Sequence, residues 1–124
     1  LVHIMDMQDM MFAMYDYPEL FKEMMGRIAD DTIAWYRLME EKQIFLPTVA
    51  GEPLGQGTWC YNRTLPARLD RPFVSTDLFG FMDSQETVGI SPDMFEEFIF
   101  PCYQKIASQF GLLSYGCCVP VDPV

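Results

Sequence analysis

The sequence predicts an α/β fold in which parallel strands are joined by helical crossovers. Three observations predict it. Leu78-Phe79-Gly80-Phe81-Met82 and Leu112-Leu113-Ser114-Tyr115 are short apolar runs, as strands buried in a parallel sheet are. Between them, Ser91-Pro92-Asp93 opens a long helical-period run that ends near Phe110. Polar clusters follow directly after both runs: Asp83-Ser84-Gln85-Glu86 and Gly116-Cys117-Cys118. In parallel α/β folds, reactive groups sit at the carboxyl ends of strands.

The 124 residues suffice for one domain, and half of them are hydrophobic while 21% are charged, so the chain reads as globular. Ten Met and ten Phe give it a large, adaptable apolar surface, part of which is expected to serve an interface. The net charge is −10, with eighteen acids against eight scattered bases. That balance argues against nucleic acid, whose phosphates need Lys and Arg, and against an anionic membrane surface. No apolar run is long enough to span a bilayer, and Leu1-Val2-His3-Ile4 does not read as a signal peptide. The four cysteines, Cys60, Cys102, Cys117 and Cys118, do not form a disulfide framework, so free thiols in a reducing cytoplasm are expected. The abrupt start and the stop just after a strand tip suggest a piece cut from a longer polypeptide.

Each element has its own local cause. Asp6 is suited to cap a helix over 6–15, with Met7, Met10, Met11 and Met14 on one face. Pro18 fits a first helical turn, and Asp16 with Glu19 resembles a capping box for a helix running to about Gln43. Its apolar face reads Leu20, Phe21, Met24, Met25, Ile28, Thr32, Trp35, Leu38 and Met39. Asp30, Asp31, Glu40 and Glu41 fall mostly off that face, as solvated acids do. Residues 47–77, with Pro47, Pro53, Pro66, Pro72, Gly51, Gly55 and Gly57, read as one long loop. It is either a surface excursion pinned by Trp59 and Tyr61 or a lid over a substrate. Ser91 is an N-cap with Pro92 in the first turn, and Pro101 is expected to kink or divide the crossover helix near 97–101. That helix is expected to bury Phe95, Phe98, Ile99, Cys102, Ile106 and Phe110.

Two clusters carry candidate chemistry. Asp83 and Glu86, three residues apart beyond a strand, are a carboxylate pair that can work as acid or base if desolvation raises one pKa. The plainer alternative is a turn cap and a solvated acid. Cys117 and Cys118 offer one soft ligand for zinc, since adjacent cysteines rarely hold the same ion. A small buried hydrophobe is an equal reading of either cysteine. A Cys–His nucleophile is not suggested, because the one histidine is His3. No phosphate loop, nucleotide fingerprint or zinc-finger spacing is present.

Gly80-Phe81-Met82-Asp83-Ser84-Gln85-Glu86, followed by Ile90-Ser91-Pro92-Asp93-Met94-Phe95-Glu96-Glu97-Phe98-Ile99-Phe100-Pro101, resembles the uroporphyrinogen decarboxylase superfamily. So does Tyr15-Asp16-Tyr17-Pro18-Glu19-Leu20 leading to Ile28-Ala29-Asp30, and Leu112 to Cys118 aligns with the next strand of that family. The resemblance covers most of the chain outside 47–77. It implies a (β/α)8 barrel, of which residues 1–124 would be an internal fragment of about three β/α units. It also implies an enzyme of one of two kinds. One decarboxylates tetrapyrrole side chains, through basic residues and an Arg-bearing amino-terminal part that is absent here. The other transfers methyl groups between methylated substrates, corrinoid proteins and thiols, with zinc held in part by a His-x-Cys-Gly motif. The matching stretch here is Ser114-Tyr115-Gly116-Cys117-Cys118, without the His, which leaves Cys117 as the best single ligand.

The resulting expectation is a cytoplasmic methyltransferase-like enzyme with Asp83, Gln85, Glu86 and Tyr115 in its catalytic site. Cys117 or Cys118 would bind zinc, the substrate would be a small molecule, and the corrinoid would be borne by a partner protein. A tetrapyrrole or polycarboxylate decarboxylase is the first alternative, and a non-catalytic interaction module is the second. The isolated fragment is expected to be inactive and to self-associate through its unpaired strand edges.

Overall fold

A computed structural model describes residues 4–48, 53–55, 58–59, 64–87 and 89–115. Helix α1 is Met7–Asp16, capped by Asp6, whose side chain accepts from the Asp9 amide at 2.9 Å. Helix α2 is Pro18–Glu41. Only Tyr17 separates the two, so Asp16 is the last residue of α1 rather than the cap of α2, and the capping box does not form. The end of α2 is closed by backbone geometry instead. Gln43 takes a left-handed conformation at φ 55°, its amide bonds the Glu40 carbonyl at 2.9 Å, and the Ile44 amide reaches the Met39 carbonyl at 3.2 Å. That is a Schellman closure built on Gln where Gly is usual.

Met10 and Met14 of α1 pack against Phe21 and Met25 of α2, together with Phe95, Phe98 and Ile99. Phe21 and Phe98 meet edge to face at 5.8 Å between centroids. The buried stripe of α2 continues through Ala29 and Ile33, whereas Leu20, Trp35 and Leu38 are exposed. The apolar face read from the sequence is thus rotated: α2 carries large side chains on more of its circumference than its neighbours cover.

Two short strands occupy the predicted loop: β1, Pro53–Gly55, pairs antiparallel with β2, Thr58–Trp59. From 64 to 74 the chain has no regular element before a 3-10 turn at Ser75–Asp77. That turn is anchored twice. Glu40 of α2 accepts from the amide and hydroxyl of Ser75 at 2.7 and 2.6 Å, and Arg71 grips Asp77 through both guanidinium nitrogens at 2.6 and 2.9 Å. Glu40 is therefore a buried-side acceptor, not one of the solvated acids. The hydrogen-bonded Arg71 holds the Asp77 carboxyl below its usual range.

Strand β3 is Phe79–Met82 and β4 is Leu112–Tyr115; they pair in parallel with Phe79 opposite Leu112 and Met82 opposite Tyr115. The connection is helical, as parallel pairing requires. It consists of α3, Pro92–Phe98, and α4, Phe100–Ala107, divided at Ile99. Pro101 causes the division: it has no amide hydrogen to donate, and its ring clashes with the preceding turn. Ser91 caps α3, accepting from the Met94 amide at 3.2 Å. This is a mixed helix and strand architecture of the α/β class, with a two-stranded parallel sheet among the described residues. No described helix is long and apolar enough to cross a membrane.

Candidate functional site

Side chains of paired residues in a parallel sheet share a face, so Gly80, Met82, Leu113 and Tyr115 point to one side. That side faces α4. A methyl group on Gly80 would sit 2.6 Å from the Phe110 ring, so only glycine lets the strand pass this close. Farther along the strands the sheet and α4 separate. They leave an open cavity of about 380 Å³ lined by Met82, Phe95, Phe100, Tyr103, Gln104, Ala107, Leu113, Ser114 and Tyr115. Its size lies within the range of small-molecule sites, roughly 300 to 1,000 Å³.

The strand ends form a polar rim beside this cavity, sharing Tyr115 with its wall. Beyond β3 the chain turns through Gln85–Thr87, where the Thr87 amide and hydroxyl both bond the Ser84 carbonyl, at 2.9 and 2.7 Å. The Tyr103 hydroxyl, from α4, donates to the Asp83 carbonyl at 2.5 Å. The Tyr115 hydroxyl, at the tip of β4, shares a hydrogen bond with the Ser84 hydroxyl. Two phenols from two elements thus hold the 83–84 segment. Burial pushes the Tyr103 phenol far above its ordinary value, with Glu86 and Asp83 adding negative potential. The Tyr115 phenol is raised for the same first reason, with Asp83 second. Both are neutral donors near pH 7 rather than phenolates.

Four of the residues singled out from the sequence therefore fall at one end of the sheet. Asp83 and Glu86 are half-buried at the rim, Tyr115 belongs both to the rim and to the cavity wall, and Gln85 lies in the turn. The side chain of Gln85 falls outside the described residues, as do Cys117, Cys118 and His3. Tyr103 and Ser84 were not singled out. Tyr103 had a signal: it follows Phe95 and Ile99 at helical spacing, on the face turned inward. Ser84 stands inside the quoted tip, and only its pairing across strands gives it a role.

Among the described residues, no three His, Cys, Asp or Glu side chains form a group fit to hold a metal ion. The Cys102 thiol in α4 is raised by burial, which lowers its reactivity. Chemically, the rim offers two carboxylates and two neutral phenols beside an apolar cavity. Both phenol hydroxyls are taken by the 83–84 segment, so the carboxylates are the groups left to accept or return a proton. Comparison with protein-family models, with curated proteins and with solved structures returns no match.

Proposed function

We propose that this chain is part of a uroporphyrinogen decarboxylase-like (β/α)8 enzyme, most consistent with the methyltransferase type, acting on a small molecule at the rim formed by Asp83, Glu86, Tyr103 and Tyr115. The observation that carries this reading is the register of the parallel pair. Met82 lies opposite Tyr115, so the residues after β3 and the end of β4 reach the same edge, as a strand-end active site requires. Asp83 or Glu86 would accept and return a proton, while the neutral phenols of Tyr103 and Tyr115 hold the 83–84 segment in place. In a methyltransferase of this kind zinc would activate the acceptor thiol. The described residues do not assemble its ligands.

The test uses the full-length protein, assayed for methyl transfer to a thiol from a corrinoid donor, with metal analysis in parallel. Methyl transfer that falls together with zinc content in a Cys117→Ser, Cys118→Ser double variant supports the proposal. A double variant that keeps both its metal and its activity counts against it. Carbon dioxide release from a polycarboxylate by metal-free protein would assign the decarboxylase alternative instead.

A non-catalytic assembly module is the second reading. It is favoured by β4, which among the described residues pairs only with β3 and leaves Leu113 45% exposed. Such an edge invites a second copy of the chain. Concentration-dependent sedimentation that disappears in Leu113→Asp would support it, and a monomer at all concentrations would exclude it.

A further inference from the structure

We propose that the cavity between the sheet and α4 binds a small organic cation, a tertiary or quaternary ammonium compound, against the aromatic wall of Phe95, Phe100, Tyr103 and Tyr115, with Asp83 and Glu86 supplying negative potential from beside the cavity. Three independent features of the molecule lead there. The first is the wall itself: four aromatic rings, from α3, α4 and β4, border one cavity. An aromatic face is negative at its centre and attracts a cation, most strongly when water is excluded.

The second is the state of the two phenols. Tyr103 and Tyr115 spend their hydroxyls on the Asp83 carbonyl and the Ser84 hydroxyl. Their rings, not their polar ends, are what remains for an occupant. A ligand that needs several hydrogen bonds finds little here, whereas one that offers charge with apolar substituents loses little hydration on entering.

The third is charge complementarity. Among the described residues, the cavity wall contains no Lys, Arg or His. Asp83 and Glu86 make no ion pair among the described residues, while the ion pairs that do form use Lys22, Arg27, Lys42, Arg71 and Lys105 elsewhere. Lys105, one residue from the cavity-lining Gln104, is taken by Asp30. Among the described residues the rim is thus negative and without an ion-pair partner, and the net charge of −10 steers cations toward the molecule as a whole. Fixed negative charge behind an aromatic wall recognises an onium group. An anion would meet repulsion, and a neutral apolar molecule would leave the rim uncompensated.

The inference stands apart from the methyl-transfer reading, because it is read by binding without turnover. Calorimetric titration of the full-length protein would compare choline with its neutral carbon isostere, in which a tert-butyl group replaces trimethylammonium. Choline is expected to bind at least about tenfold more tightly. Phe100 is 42% exposed, so Phe100→Leu spares the fold; it should weaken choline about tenfold and leave the isostere unchanged. The Asp83→Asn, Glu86→Gln double variant should weaken choline and flatten its salt dependence. Equal binding of choline and isostere, no binding of choline, or indifference to Phe100→Leu would each overturn the proposal.

Discussion

The helices α1, α2 and α3 and the strand β4 all carry large apolar side chains but bury them to different extents. Met10, Met14, Phe21, Phe98 and Ile99 are almost wholly removed from water, whereas Leu113 and Tyr115 of β4 stay 45% and 41% exposed. The helices pack their apolar side chains into one shared core. The sheet is covered by α4 over part of one face and has a single partner strand among the described residues. The closed core therefore lies in the helical layer, and the sheet is the layer left open. Apolar surface that a fold does not bury is available for a ligand or a partner.

The contrast is broken or sharpened most strongly by paired truncations. Phe98→Ala should cost about 3–5 kcal/mol in urea unfolding, because it removes a ring from the closed core. Leu113→Ala should cost less than about 1 kcal/mol, since much of that side chain already meets water. Equal costs would mean that the sheet is as closed as the core. Gly111→Ala should follow at about 1–3 kcal/mol, because a methyl there collides with the Thr76 carbonyl, a backbone atom that cannot swing away. This tests whether the start of β4 is as rigidly fitted as the helices.

Tyr103→Phe is expected to cost about 1 kcal/mol through loss of the bond to the Asp83 carbonyl. It also has a pH signature. Burial raises the Tyr103 phenol in the folded state above its unfolded value of 10.0, so the folded chain holds this proton more tightly. Its contribution is complete below that value and is lost as pH climbs through the folded pKa. The wild-type chain should thus lose stability at alkaline pH more steeply than Tyr103→Phe, in parallel unfolding titrations. The smallest effect is a gain. Gln43→Gly should stabilise the chain by up to about 1 kcal/mol, because glycine takes φ 55° without the steric penalty Gln bears. Calorimetric melting would register it.

Local rules made much of this readable in advance. Asp6 and Ser91 cap as their positions suggest, Pro101 divides the crossover, and 79–82 lies beside 112–115 in parallel. The failures lie where neighbours decide. Asp16 has the chemistry of a cap but belongs to the preceding helix, because a one-residue turn leaves no room outside it. Glu40 reads as a surface acid until Ser75, 35 positions away, presents two donors to it. In the candidate site, Asp83, Glu86 and Tyr115 stood out because strand ends are identifiable. Ser84 and Tyr103 did not, because their roles exist only once α4 and β4 are folded against the turn. Whether β1 and β2 form inside 47–77 was likewise not readable: strands of three and two residues carry too little periodicity to register.

The break at Ile99 divides the crossover into two halves with different surroundings. Phe98 of α3 is committed to the methionine-rich centre and Phe95 stands between that centre and the cavity, while Phe100, Gln104 and Ala107 of α4 border open space. A continuous rod would transmit any adjustment at one end to the other. With a proline joint between them, the cavity wall can vary in sequence, or shift to fit an occupant, while the anchor beneath it keeps its place.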